Sequence, residues 1–272
     1  MTPELIATDV DGTLIGEDES ITPRTRSAVL AAVDAGAKFV LATGRPPRWV
    51  HPVVDELGFA PMAVCANGAV IYDPATDRVL SVRTLSTDRL AELAEIANRV
   101  IPGAGLAVER IGESAHDAAT PQFVSAPGYE HAWLNPGNTE VSVEDLLSAP
   151  AIKLLIRKVG ARSSDMAAEL SKHIGLQGDI TFSTDNGLIE VVPLGISKAT
   201  GVEEVARPHG IGQEGVVAFG DMPNDIPMLR WAGLGVAMAN GHPEAIGAAD
   251  EVTAPNYEDG LARVLERWWQ SK

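Results

Sequence analysis

Apolar residues come first in short unbroken runs. Leu5, Ile6 and Ala7 form one, residues 39–42 a second and Met62–Cys65 a third. None alternates with polar positions, so each reads as a strand buried on both faces. Between the first two, Thr22 followed by Pro23 is an N-cap with proline at the first helical position. Val29, Leu30 and Val33 then keep helical spacing, and Gly36 ends the stretch. A second helix is expected over residues 48–57, closed by Gly58. Strand, helix, strand, helix, strand in this form predicts a parallel, right-handed α/β sheet.

The texture changes after Ala69. Residues 70–72 and 79–82 suggest a hairpin turning at Asp73-Pro74. An amphipathic helix follows, with Leu90, Leu93, Ile96, Ala97 and Val100 on one face, Ser86 or Thr87 as cap, and Pro102-Gly103 beyond its end. Residues 106–109 read as a short strand, and 111–149 carry short elements near Phe123 and over 141–147. A strand over 151–157 and a helix over 164–174 come next. Residues 180–183 and 188–192 flank Asp185-Asn186-Gly187, a strong hairpin signal. The alternating pattern then resumes. Ser197 caps a helix starting at Lys198, residues 216–219 form a strand ending at Gly220-Asp221, and a final helix is expected over 258–269, packing Trp268 and Trp269 on the core. The expected fold is α/β, a Rossmann-like parallel-sheet core of residues 1–84 and 188–272, with an α+β domain inserted at 85–187.

Composition narrows the class. The 272 residues are 45% hydrophobic, enough for a large core, and the formal charge of −16 argues against nucleic acid or an anionic membrane as partner. Cys65, the one cysteine, sits in an apolar run and reads as a buried hydrophobe. The six histidines show no metal-binding spacing. No basic leader and no apolar window of membrane-spanning length is evident, so a cytoplasmic enzyme is expected.

Chemistry gathers at the strand ends. Asp9 and Asp11 follow the first buried run, and carboxylates there need a compensating cation. The carboxyl ends of parallel strands are also where α/β sheets bind ligands. A phosphate worked on with a divalent metal is the expectation. Thr43-Gly44-Arg45 ends the second strand, Asn67-Gly68 follows the third, Lys198 opens a helix, and Asp221, Asn224 and Asp225 follow a later strand. Singly, each is also what a turn, a strand end or a helix cap presents.

Taken in order, Asp9-Val10-Asp11-Gly12-Thr13-Leu14, Thr43, Lys198 and Gly220-Asp221-Met222-Pro223-Asn224-Asp225 resemble the haloacid dehalogenase superfamily. Within it, the chain looks like the Cof-type phosphatases, which carry a large α/β cap after the third core strand. The resemblance implies a Mg²⁺-dependent phosphatase of small phosphorylated metabolites, sugar phosphates foremost. It implies Asp9 as nucleophile, Asp11 as acid and base, and Thr43 and Lys198 on the phosphoryl group. It implies Mg²⁺ on the Asp9 carboxylate, the Asp11 main-chain carbonyl and Asp221. Gly44, Arg45, Asn67 and Asn224 would touch substrate, and Asp225 would support Lys198 or the metal. A phosphomutase and a non-catalytic sugar-phosphate-binding regulator are the alternatives, and both a monomer and a homodimer fit.

Overall fold

The computed structural model describes residues 2–269. In chain order its first elements are β1 (Leu5–Thr8), α1 (Pro23–Asp34), β2 (Lys38–Ala42), α2 (His51–Leu57), β3 (Met62–Cys65), β4 (Val70–Asp73) and β5 (Arg78–Val82). Then come α3 (Thr87–Val100), β6 (Gly105–Glu109), β7 (Phe123–Ser125), β8 (Asn138–Glu140), α4 (Val143–Leu147), β9 (Lys153–Arg157), α5 (Ser163–Ile174), β10 (Asp179–Thr181) and β11 (Leu188–Val192). The last are α6 (Lys198–Ala206), β12 (Val216–Gly220), α7 (Ile226–Trp231), β13 (Leu234–Met238), α8 (Pro243–Ala248), β14 (Glu251–Thr253) and α9 (Gly260–Leu265). Two compact units result, residues 1–80 with 197–272, and residues 81–196.

The first unit is built on an eight-stranded sheet in the order β14-β13-β12-β1-β2-β3-β4-β5. The strands from β14 to β3 run parallel, and β4 returns antiparallel against β3. β1 sits between β12 and β2, so the chain winds outward from it in both directions. That makes the β1/β12 edge a topological switch point, where a crevice opens beyond the strands' carboxyl ends. Leu5, Ala7, Val40, Ala42 and Val64 meet Val202, Val205 and Met228 of α6 and α7 on one face. Every residue of β1 is buried, as its unbroken apolar run requires.

The second unit is a six-stranded sheet in the order β10-β11-β9-β6-β7-β8, antiparallel except between β7 and β8. Leu90, Leu93 and Ala97 of α3 and Met166, Leu170 and Ile174 of α5 cover Leu106, Val108, Leu154, Ile156, Ile189 and Val191. The opposite face holds Ala107, Phe123, Tyr129, Leu155 and Leu188 and a buried Lys153–Glu190 ion pair at 2.5 Å. No helix among the described residues is long and apolar enough to cross a membrane.

Two expectations are corrected. Residues 188–192 do not join the core domain: β11 pairs with β9 and β10, so the chain leaves the second unit at Ile196 and enters it at Ser81. Its buried run fits either sheet, and only pairing decides between them. The hairpin expected around Asp185-Asn186-Gly187 forms, with β10 antiparallel to β11, and Asp185 accepts the Ser164 backbone N–H at 2.8 Å at the start of α5. The last helix is shorter than 258–269, starting at Gly260 after Asp259 with a left-handed φ of 61°. Trp269 is nonetheless buried.

Candidate active site

Asp9 continues β1 directly, its N–H donating to Phe219 O at 2.9 Å. It is 5% exposed, and its Oδ1 accepts from Lys198 Nζ at 2.5 Å. Lys198 is the first residue of α6 and is fully buried. Its ammonium also donates to Asp225 Oδ1 at 2.6 Å. Asp225 Oδ2 in turn accepts the backbone N–H groups of Asp221 and Met222, each at 2.9 Å. Asp225 therefore holds the strand-end loop closed with one oxygen and aims Lys198 with the other.

Asp221 follows β12 on the neighbouring strand, and its Oδ1 accepts from Thr13 Oγ1 at 2.9 Å. Gly12 lets these two loops meet. Its φ is +77°, and a methyl group there would lie 2.5 Å from Asp221 Oδ2. Asn240 Nδ2 donates to Gly12 O at 2.8 Å. Thr13 is part of the opening motif but had no role assigned from the sequence, and Asn240 was not singled out, since single polar residues in loops carry no periodic signal.

Thr43 is fully buried and accepts the Arg45 N–H on Oγ1 at 3.0 Å. Asn67 has a left-handed φ of 57° and is buried, with Oδ1 accepting from Asn224 Nδ2 at 3.0 Å. Gly44 lies under the same amide, where a methyl group would stand 3.3 Å from Asn67 Oδ1. Arg45 is engaged elsewhere: it binds Asp11 with Nε–Oδ2 at 2.9 Å and Nη2–Oδ1 at 2.6 Å. Asp9, Lys198, Asp221 and Asp225 thus share one cluster, while Asp11 and Arg45 form a pair.

The cluster is short of positive charge. Asp9, Asp221 and Asp225 place carboxylate oxygens within 4.8 Å of one another, and one lysine faces them. Burial, then the Asp225 charge, pushes the Asp221 carboxyl up to about 7. The same two causes hold Asp9 well above the ordinary carboxylate range, against the pull of Lys198. Asn224 Oδ1 is buried with no hydrogen-bond partner among the described residues. Hard oxygen donors, excess negative charge and an orphaned acceptor fit a divalent cation such as Mg²⁺.

A model of the haloacid dehalogenase-like hydrolases matches residues 6–265. The chain belongs to this family. The resemblance to Cof-type phosphatases in its motifs therefore holds. Over 98% of both chains it is 29% identical to 5-amino-6-(5-phospho-D-ribitylamino)uracil phosphatase YitU of Bacillus subtilis. It is 26% identical to the pyridoxal phosphate phosphatase YbhA of Escherichia coli, covering 97% of this chain and 98% of that one. A haloacid dehalogenase-like hydrolase from Bacteroides thetaiotaomicron superposes with a TM-score of 0.72 at 27% identity, covering 98% of this chain and 99% of that one. This haloacid dehalogenase-like hydrolase is a phosphoric monoester hydrolase.

Proposed function

We propose that the enzyme hydrolyses phosphate monoesters of small metabolites, sugar phosphates foremost, through a phosphoryl group carried on Asp9. The supporting observation is the Asp9–Lys198–Asp225 chain of contacts at the switch point of the sheet. A buried nucleophile beside a fixed cation is what in-line displacement at phosphorus requires. The matched relatives are named for a phosphorylated ribityl compound and for pyridoxal phosphate, both phosphate esters of small alcohols.

An Asp9 carboxylate oxygen attacks phosphorus and the ester P–O bond breaks. Asp11 gives its carboxyl proton to the departing oxygen, then takes one from the water that attacks the phosphorylated Asp9. The P–Oδ bond breaks, releasing inorganic phosphate and the free carboxylate. Lys198 and the Thr43 hydroxyl stabilise the equatorial oxygens. Asn224, Asn67, Gly44 and Arg45 border the place where substrate would lie, and Asp225 orients Lys198. The Asp9 and Asp221 carboxylates and the Asp11 carbonyl would hold Mg²⁺, whose charge would offset that of the phosphoryl oxygens and keep Asp9 ionised.

Asp9→Asn, with Mg²⁺ and a panel of sugar phosphates and pyridoxal phosphate, should lose at least about 10³-fold in kcat while melting normally. Turnover near that of the unaltered enzyme would remove Asp9 as nucleophile.

A further inference from the structure

The Asp11 side chain is 57% exposed. A carboxyl so open to solvent turns freely, whereas proton transfer to a leaving group needs one orientation. Arg45 restricts it. Its Nε and Nη2 donate side by side to the two Asp11 oxygens. Such a planar fork fixes the plane of a carboxylate, which a point charge does not.

The guanidinium is itself held in place. Nη1 donates to Trp49 O at 3.2 Å, and Nη2 makes a second bond to Glu19 Oε1 at 3.0 Å. The Arg45 backbone is tied to Thr43 Oγ1 through its N–H and to the Ala66 N–H through its carbonyl. Only 14% of its side chain is exposed.

Glu19 reaches Arg45 from an unusual backbone. Its φ is 60°, in the left-handed region that a glutamate seldom occupies. The loop around it is closed by Gly16 N–H to Ser20 O at 3.1 Å and Glu19 N–H to Gly16 O at 3.0 Å. Asp18 braces the turn by accepting both the backbone N–H and the hydroxyl of Ser20. Exposed ion pairs contribute little to stability, so folding alone does not explain a strained loop that delivers a carboxylate to this arginine.

We infer that Glu19, acting through Arg45, is a positioning residue that sets the orientation of the Asp11 carboxyl toward the departing oxygen of the substrate. As Asp11 gives up its proton, charge develops on its two oxygens, and the fork is already aligned with them. Glu19 keeps the guanidinium aligned while Asp11 exchanges its proton. The inference rests on Asp11 being the proton donor in the function proposed for the site.

The test compares esters that differ in their need for that proton. p-Nitrophenyl phosphate has a leaving group that departs without protonation, whereas ribose 5-phosphate and pyridoxal 5′-phosphate release an alkoxide. kcat/KM, which reports the steps through phosphorylation of Asp9, is measured for Asp11→Asn, Arg45→Lys, Glu19→Gln and Glu19→Ala. For the alkyl esters, Glu19→Ala should lose about tenfold while its turnover of p-nitrophenyl phosphate changes less than about threefold, and Arg45→Lys should lose more on the alkyl esters than Glu19→Ala does. Glu19→Gln, which retains an acceptor oxygen, should recover part of the loss. Inhibition by inorganic phosphate should be unchanged in the Glu19 variants.

Equal losses on both ester types, or weakened phosphate inhibition, would overturn the inference and make Arg45 a phosphate ligand or a structural residue. An Asp11→Asn enzyme without ester selectivity would instead sink the proton-donor assignment, and the inference with it. Selectivity in Asp11→Asn but not in the Glu19 variants would sink the positioning role alone. Glu19 is 66% exposed on its loop, so its variants test the point even if Arg45→Lys folds poorly.

Discussion

Lys198 stands at the first position of α6, where the helix dipole opposes a cation. Its burial there is tolerable because Asp9 and Asp225 each accept from its ammonium. Lys198→Met would strand two buried carboxylates. In EDTA at pH 8 it should cost about 3–5 kcal/mol of stability, read from urea midpoints, along with most of the activity. The stability loss should shrink at pH 5, because Asp9, already held above its ordinary range, then takes up a proton. An equal loss at both pH values would mean that the two carboxylates do not bear the cost. Asp221 carries a second prediction. Its carboxyl titrates near 3.8 when unfolded and at about 7 in the fold, so between these values the folded, metal-free chain holds a proton that the unfolded chain lacks. The stability this proton confers is fully present below the lower value and is lost as pH rises through 7. A cation must displace it, so the rise in Tm caused by Mg²⁺ should grow from pH 6 to pH 8. Mg²⁺ affinity should improve by about tenfold per pH unit below 7 for each proton displaced. A Mg²⁺ effect independent of pH would move the metal away from Asp221.

α6 presents Lys198 through its first turn. Ser197 accepts the Thr200 N–H, and Thr200 Oγ1 accepts the Ser197 N–H at 3.0 Å, a reciprocal cap that fixes where the helix begins. The loop after β3 meets that start at Gly68, with φ +103°, where an added methyl group would lie 2.1 Å from Ser197 O. Gly68→Ala should therefore cost about 2–5 kcal/mol in chemical unfolding and lower kcat by displacing Lys198. A neutral substitution would show that the contact does not set the helix position. At this scale much was legible in the sequence. β1, α1 and β12 follow from unbroken runs and caps, because local chemistry alone specifies them. Within 111–149, β7 and α4 fall where short elements were expected, but β8 was not legible, because it is a three-residue strand made only by pairing. Nor was Asp185, whose side chain serves a helix twenty-one residues upstream rather than the turn beside it.

Across the whole chain, the insertion is continuous in sequence and the first unit is not. Residues 81–196 hold their own sheet and a core of α3 and α5 against β6, β9 and β11. Expressed alone, this segment should melt cooperatively with near-UV ellipticity intact; a molten segment without a transition would show that its core depends on the rest of the chain. The −16 charge sets a conflict with an anionic substrate, which in the proposed function would be met locally, by Lys198 and by a cation that Asp9 and Asp221 could hold. The sequence by itself determined the α/β class, the order of the elements, the family and the strand-end residues, because runs, caps and short motifs are local properties. Tertiary structure alone decided that Asp9 and Asp221 lie on adjacent strands, and that 188–192 joins the antiparallel sheet. It also decided that Arg45 grips Asp11 with Glu19 behind it. Strand pairing and side-chain direction join residues far apart in sequence, and no local pattern records those distances.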